Sequence, residues 1–134
     1  MLKKGFTLLE VLIVVIIIGV LAALALPNYI TALEKGKSGE AATNVGAIRT
    51  AIDRYWYQNG TCPAITSLDI DDPNNQVNRL YDYVVADTGT DTSTRKYTVT
   101  ATRRGFAAYW VKWTQTDNNT GKLTRSANLG GPTS

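Results

Sequence analysis

Histidine is absent from the 134-residue chain, which excludes imidazole acid–base chemistry, a Ser-His-Asp arrangement and histidine metal ligation. There is one cysteine, Cys62, so no disulfide can close within the chain. The plain reading of Cys62 is a buried or tolerated thiol, and the sharper one is a bridge between molecules. No nucleophile motif and no glycine-rich phosphate loop is present, so an enzyme is the least supported class and no cofactor is expected. Excess charge is also scarce. Lys and Arg total 14 against 11 Asp and Glu, a net +3. Two of the bases, Lys3 and Lys4, lie in the first five residues, and without them 12 − 11 leaves +1. That near-neutral balance weakens any argument from overall charge for a polyanionic partner. The length allows one domain with at most one appended element, and leaves no room for a second catalytic domain.

What the chain has in quantity is a hydrophobic run. Phe6 to Leu26 is 21 positions with one charge, Glu10, and no proline. That is long enough to cross a bilayer core of about 30 Å. Lys3 and Lys4 before it predict a cytoplasmic N-terminus, with everything after Pro27 outside. A secretory signal peptide would follow its apolar core with a small-residue cleavage site, and Leu24-Ala25-Leu26-Pro27 fits that pattern poorly.

The helical pattern also continues beyond Pro27, which is expected to kink or interrupt it. Apolar residues recur at Ile30, Leu33, Ala41, Val45, Ile48, Ile52 and Tyr55, giving an amphipathic helix that ends near Asn59-Gly60. Thr7 to Asn59 would make about 80 Å of helix. A head formed by the rest would be about 25 Å across and would cover only the second half. The first half must then be buried by a membrane or by a bundle of identical helices. Gly36, Gly39 and Gly46 each cost about 1 kcal/mol against alanine, so the amphipathic part also depends on what it packs against.

Glu10 separates a simple anchor from something more. A carboxylate inside an apolar helix opposes insertion into lipid, and an intramembrane acid is by default a functional group. The alternative is a snorkelling or protonated acid without a role. Cleavage between Gly5 and Phe6 would create an ammonium one helical turn before Glu10, able to neutralise it within one subunit or between neighbours. The run Gly5-Phe6-Thr7-Leu8-Leu9-Glu10, followed by an apolar stretch with Gly19 and by Pro27, resembles the type III signal sequence of type IV pilins and type II secretion pseudopilins. The resemblance covers about the first 30 residues. It implies a prepilin peptidase that cuts after Gly5 and N-methylation of Phe6. It also implies that Glu10 docks each incoming subunit against Phe6 of a neighbour. Gly19 to Pro27 matches the segment that tends to lose helical structure in such filaments.

Past Gly60 the signals are those of a sheet. Lys96 to Thr102 alternates Tyr97, Val99 and Ala101 with threonines, the pattern of a half-buried antiparallel strand. Phe106 to Thr114 and Gly121 to Arg125 read as strands joined by a turn at residues 117–121, with Arg79 to Ala86 as a fourth or a lead-in. The expected fold class is α+β: a long N-terminal helix on a three- to four-stranded antiparallel sheet, the form of pilin heads. Ile48, Ile52 and Tyr55 should meet Tyr97, Val99 and some of Tyr109, Trp110, Val111 and Trp113. The predicted segments are a leader, 1–5; a membrane or assembly helix, 6–27; an amphipathic half-helix, 28–60; and a head, 61–134.

Many pilins staple a C-terminal loop with two cysteines, and this chain has only Cys62, so its C-terminal region must be held otherwise. By the same resemblance some pseudopilins use calcium, for which Asp117 and Asn119 are conceivable ligands, although a turn rich in Asp, Asn and Gly is more often just a turn. Asp69, Asp71 and Asp72 read most simply as a solvated loop. Arg95, Lys96, Arg103 and Arg104, near Tyr109, Trp110 and Trp113, form a basic patch in sequence. It could hold a DNA backbone, or could be a hairpin surface with core aromatics. Two sequons, at Asn59 and Asn118, and a terminal Ser134 that carries a glycan in some pilins are weak modification signals.

The leading expectation is a structural subunit of a type IV pilus, a helical homo-oligomer for adhesion, motility or DNA uptake. Its expected partners are the inner membrane before assembly, a prepilin peptidase and the pilus assembly machinery. The precursor would be a single-pass inner-membrane protein and the product a surface filament, or a periplasmic pseudopilus. Two alternatives stand beside it: a pseudopilin of a type II secretion system, and a membrane-anchored DNA- or ligand-binding minor pilin.

Overall fold

A computed structural model describes residues 5–89 and 93–132. Most of the leader, with Lys3 and Lys4, and the terminal Ser134 lie outside the described residues. One helix, α1, runs Leu8–Asn59. It is followed by four strands: β1 Tyr81–Asp87, β2 Tyr97–Arg103, β3 Trp110–Gln115 and β4 Gly121–Arg125. Each pairs antiparallel with the next, in the order β1-β2-β3-β4, a meander laid against the second half of α1. The chain divides into two compact units, Met1–Leu33 and Glu34–Ser134.

The helix does not stop at its proline. Pro27 lies inside α1, which corrects the expectation of an interruption there. Proline removes one backbone bond, but the Leu and Ala run before it and the Ala32-Leu33-Glu34-Lys35 run a turn after it favour helix on either side. The Thr31 hydroxyl adds a bond to the Pro27 carbonyl, 3.0 Å. α1 does end where the sequence indicates: the Gly60 N–H donates to the Trp56 carbonyl, 2.8 Å, with Gly60 at φ +71°. That left-handed conformation suits glycine.

In the second unit the helix supplies one layer of the core and the sheet the other. Ser38, Ala41, Val45, Ile48, Ala51 and Ile52 are the buried stripe of α1. They meet Tyr81, Tyr83, Tyr97, Val99, Ala101 and Val111, with Leu68 and Leu129 closing the margins. Tyr97, Val99 and Val111 are where the alternation places them. Tyr55, Tyr109 and Trp113 are half-buried against this core, whereas Trp110 is not part of it.

The boundaries of β3 need correction. Phe106 belongs to no strand, because residues 103–109 close into a tight turn: the Arg103 N–H donates to the Tyr109 carbonyl, 2.9 Å, and the Phe106 N–H to the Arg103 carbonyl, 3.1 Å. Gly105 at φ +79° permits the reversal. Ile30 and Leu33 follow the apolar spacing, yet both remain exposed.

The edge of β1 is closed by a side chain. The Asn74 amide accepts from the Tyr83 N–H, 2.8 Å, and donates to the Tyr83 carbonyl, 2.9 Å, replacing one residue of a neighbouring strand. The C-terminal segment is held without a disulfide. The Ser126 N–H bonds the Trp110 carbonyl and the Gly131 N–H bonds the Ser126 carbonyl, while Leu129 is buried.

Two polar links tie the sheet to α1. Near the end of the helix, the Tyr97 hydroxyl donates to Asp53, 2.7 Å, and the buried Arg95 lies 3.4 Å from the same carboxylate. Arg95 also donates through its guanidinium to the Asn118 carbonyl, so the β3–β4 turn is gathered into the same cluster. At the other end, Arg103 reaches Glu34 at 3.1 Å with side-chain exposures of 12% and 13%. Lys37, donating at 2.7 Å, and then Arg103 hold the Glu34 carboxyl below its ordinary range against the opposing effect of burial.

Removing Arg103 leaves Glu34 with Lys37 alone and the Leu80 carbonyl without its charged donor, so Arg103→Ala should cost about 2 kcal/mol in thermal melts of the detergent-solubilised chain. A depressed folded-state pKa gives stability above the ordinary carboxylate value of 4.5 that is lost as the pH falls through the lower folded value. The wild-type melting temperature should therefore fall in that acid window, and the fall should be smaller in Arg103→Ala.

Candidate functional site

The residues that begin the helix form the site. Gly5, Phe6 and Thr7 are outside α1, which starts at Leu8. The Thr7 backbone N–H donates to Glu10 Oε2, 3.0 Å, and its hydroxyl donates to the same oxygen, 3.1 Å. In return the Glu10 backbone N–H approaches Thr7 Oγ1 at 3.3 Å. This is a capping box, in which Thr7 and Glu10 satisfy each other's unpaired backbone donors at the first turn. Its signal was in the sequence, a threonine followed three residues later by glutamate ahead of an apolar run. Reading Glu10 only as a charge in an apolar helix misses it.

Phe6 and Glu10 flank one shallow open cleft of about 250 Å³, completed by Val11, Val14 and Val15. Phe6 and Glu10 of one chain thus border the same cleft at the start of α1, Phe6 just before the helix and Glu10 in its first turn. In the uncleaved chain the Phe6 nitrogen is an amide and carries no charge. Cleavage before Phe6 would turn it into an ammonium immediately next to Thr7 and one turn from the carboxylate. Gly19 lies within α1, and a Cβ built there meets nothing within 4 Å. From Leu8 to Leu33 every side chain is exposed, and this part of α1 has the length and composition to cross a membrane.

The structure disposes differently of the other candidates. Asp117 Oδ1 accepts the backbone N–H groups of Asn119, 2.8 Å, and Thr120, 2.7 Å, which lower its carboxyl below the usual range. It holds its own turn, and no cluster of three acidic or thiol side chains suited to a metal ion occurs among the described residues. The basic stretch is not a patch. Arg95 and Lys96 precede β2 while Arg103 and Arg104 end and follow it, with six residues of strand between, about 20 Å. Arg95 and Arg103 are moreover spent on Asp53 and Glu34.

The acidic loop is also engaged in part. Asp69 pairs with Arg54 at 2.5 Å, and Asp72 accepts the Asn74 N–H at 2.8 Å to cap the short turn of helix at Pro73–Asn75. Asn118, the second sequon, is committed by its side-chain oxygen to the Arg95 N–H, whereas Asn59 is exposed. Burial, and then the nearby Asp87 charge, push the half-buried Cys62 thiol up to about 11, so it is held as the unreactive thiol form at neutral pH.

Residues 1–26 match the prokaryotic N-terminal methylation motif, 26 of the 134 positions. Among curated proteins, the chain is 42% identical over 61 residues to the type II secretion system core protein G of Vibrio cholerae, covering 46% of this chain and 42% of that one. It is 54% identical over 49 residues to the type IV major pilin protein PilA of Myxococcus xanthus, covering 37% and 22% respectively. It is 42% identical over 62 residues to the fimbrial protein EcpC of Eikenella corrodens, covering 46% and 40%. The chain thus aligns with less than half the length of each. No solved structure matches. The resemblance to the type IV pilins and type II secretion pseudopilins is therefore carried by the methylation motif and by relatives of both kinds, none of them named as an enzyme.

The capping box has a measurable consequence. Thr7→Ala should speed hydrogen exchange at the Glu10 amide roughly five-fold in the detergent-solubilised chain, and Thr7→Ser should leave it near the wild-type rate.

Proposed function

We propose that the chain is a filament subunit of pilin or pseudopilin type. It is made as a membrane-anchored precursor, cut between Gly5 and Phe6, methylated at Phe6, and packed through its N-terminal helix beside copies of itself. The observation that carries this reading is the single carboxylate of the apolar run, held at the first helical turn beside the motif's cleavage point. An anchor has no use for it. A docking subunit does, because the Phe6 ammonium of an incoming neighbour is the counter-ion that an apolar helix bundle otherwise lacks.

Release of that ammonium changes what Glu10 can do. In the precursor the carboxylate is occupied by Thr7 alone. After cleavage it can keep one bond to Thr7 and accept a charged donor from a neighbour. Gly19 and Pro27 would lie inside the packed region, where the helix is easiest to unwind.

The relatives include both a pilus subunit and a secretion core protein, so two readings remain together: a long type IV pilus, and a short pseudopilus of a type II secretion system. The prepilin peptidase and the assembly machinery are the implied partners in either case. DNA is not among the partners proposed, because the four basic residues that suggested it are divided between the two ends of β2 and two of them, Arg95 and Arg103, pair with acids of the same chain.

Mass spectrometry of sheared or cross-linked filaments tests the proposal. The wild-type chain is expected to begin at a methylated Phe6 and to be found in the polymer. Glu10→Ala should be cleaved equally well yet drop out of the polymer by at least roughly ten-fold, the cost of one missing charged partner in an apolar setting. A chain that retains Met1 in its native source, or a Glu10→Ala chain that assembles normally, would count against it.

A further inference from the structure

Two contacts fix the direction of β2 along the helix of the second unit. Tyr97, at the start of the strand, bonds Asp53, and Arg103, at its end, bonds Glu34. The β2–β3 turn therefore leaves the sheet at the Glu34 end of the unit, where the chain arrives from Leu33. By register the start of β1, the start of β3 and the end of β4 lie at that end too, since Tyr81 is opposite Arg103, Trp110 opposite Thr102 and Arg125 opposite Val111.

This end is basic. Lys35, Lys37, Arg79, Arg103, Arg104 and Arg125 are set there against Glu34, Asp82 and Glu40, whose charge bears on Tyr81, six positive charges minus three, or +3. Glu34 is shared by Lys37 and Arg103, and Asp82 by Arg79 and Arg104. Among the described residues, Lys35 and Arg125 have no ion pair. The opposite end sets Asp53, Asp87 and Asp117 against Arg49, Arg95, Lys96 and Lys122, four positive charges minus three, or +1, so the Glu34 end is the more basic of the two.

The same end is also amphipathic. The turn exposes Arg104, Gly105, Phe106, Ala107 and Ala108 in succession. Phe106 is 57% exposed and meets Tyr109 edge-on with centroids 6.1 Å apart. Beside it, an open cleft of about 530 Å³ is lined by Ala108, Trp110, Arg125 and Ser126, among others. Nothing in the fold requires an aromatic ring at the tip of a solvent-facing turn. Aromatic rings flanked by cations are, however, the composition that settles at a membrane–water boundary.

We propose that the Glu34 end of the second unit rests on an anionic phospholipid surface, with Phe106 in the headgroup layer and Lys35, Arg104 and Arg125 facing phosphates. This rests on the reading that the apolar run spans that same bilayer. Pro27 to Glu34 is eight residues, about 12 Å as helix, and the headgroup layer is about 5 to 7 Å deep, so the tether keeps this end within reach of it. The opposite end of a second copy is a poorer match, since it offers no net negative charge. Its Asp53 is taken by Tyr97 and Arg95, and its Asp117 by the backbone of its own turn. A subunit seated in this way would have to leave the lipid surface as it is drawn into a filament, so anionic lipid would oppose extraction.

The test uses the full chain with Cys62→Ser and a single cysteine at Ala22, Ala107 or Asn119, labelled with an environment-sensitive fluorophore. The labelled chain is reconstituted at low protein-to-lipid ratio in vesicles of phosphatidylcholine with or without phosphatidylglycerol. Nitroxide lipids at headgroup depth should quench the Ala107 label roughly three-fold more than the Asn119 label, and only when phosphatidylglycerol is present; aqueous iodide should show the reverse order. Lys35→Glu with Arg125→Glu should remove the roughly three-fold excess and bring the Ala107 quenching down to the Asn119 level, and Phe106→Ser should lower it with the fold intact by circular dichroism. Equal quenching at Ala107 and Asn119 would overturn the proposal, as would shielding of Ala107 that grows with protein-to-lipid ratio and shows no nitroxide quenching, the mark of contact between copies. The Ala22 label separates the two layers of the argument. If deep nitroxide lipid quenches it while Ala107 stays in water, only this inference fails; if it is not quenched, the membrane reading fails as well.

Discussion

From Leu8 to Leu33 every side chain is exposed. That stretch includes nearly all of the large aliphatic residues of the first half of α1, and burying one such side chain is worth about 1.5 to 3 kcal/mol. That exposed stretch calls for apolar surroundings from outside its own unit. In the proposed function lipid would meet that need for a single subunit, and the equivalent helices of other subunits would meet it in an assembly. The same run would then have to serve both. The run must be apolar enough for the first environment. It also needs a polar feature that distinguishes the second, and Glu10 is the one ionisable group placed to do so.

The second unit shows the opposite economy. The same helix, continued past Glu34, becomes the second layer that a four-stranded meander cannot supply for itself. Small and β-branched residues, Ala41, Val45, Ile48, Ala51 and Ile52, let the sheet approach closely. The work that a disulfide does elsewhere is divided among a buried arginine, an asparagine in the β3–β4 turn and the aspartate that both Arg95 and Tyr97 address. Burial and the Asp53 carboxylate push the Tyr97 hydroxyl far above its ordinary range, so it remains a donor at every physiological pH. Such a cluster holds geometry without redox chemistry, and the lone thiol of Cys62 is not needed for it.

Much of this was legible from residue spacing. The period-two pattern of Tyr97, Val99 and Ala101 identified both a strand and its buried face, and Asn59-Gly60 marked the end of the helix. The motif at Gly5 to Glu10 was legible because its parts sit within one helical turn. Other features were not, for physical reasons. Pro27 reads as a break because propensity is local, whereas the helix that passes through it is sustained by its neighbours on both sides. Phe106 reads as the start of a strand because hydrophobicity does not reveal that Gly105 turns the backbone back just before it. The arginines read as a patch because sequence proximity says nothing of partners 69 residues away, as Arg103 and Glu34 are. Tyr81 and Tyr83 lie in a segment whose pattern is less regular, and only the sheet register shows them to be core.

The central claim is that the exposed apolar run is covered by copies of itself. Site-specific photocrosslinking from Ile16, midway along that run, tests it most directly in cells that express the chain with its assembly machinery. The account predicts a ladder of covalent multimers that disappears when Glu10 is replaced by alanine. Crosslinks to lipid alone, with or without Glu10, would contradict it.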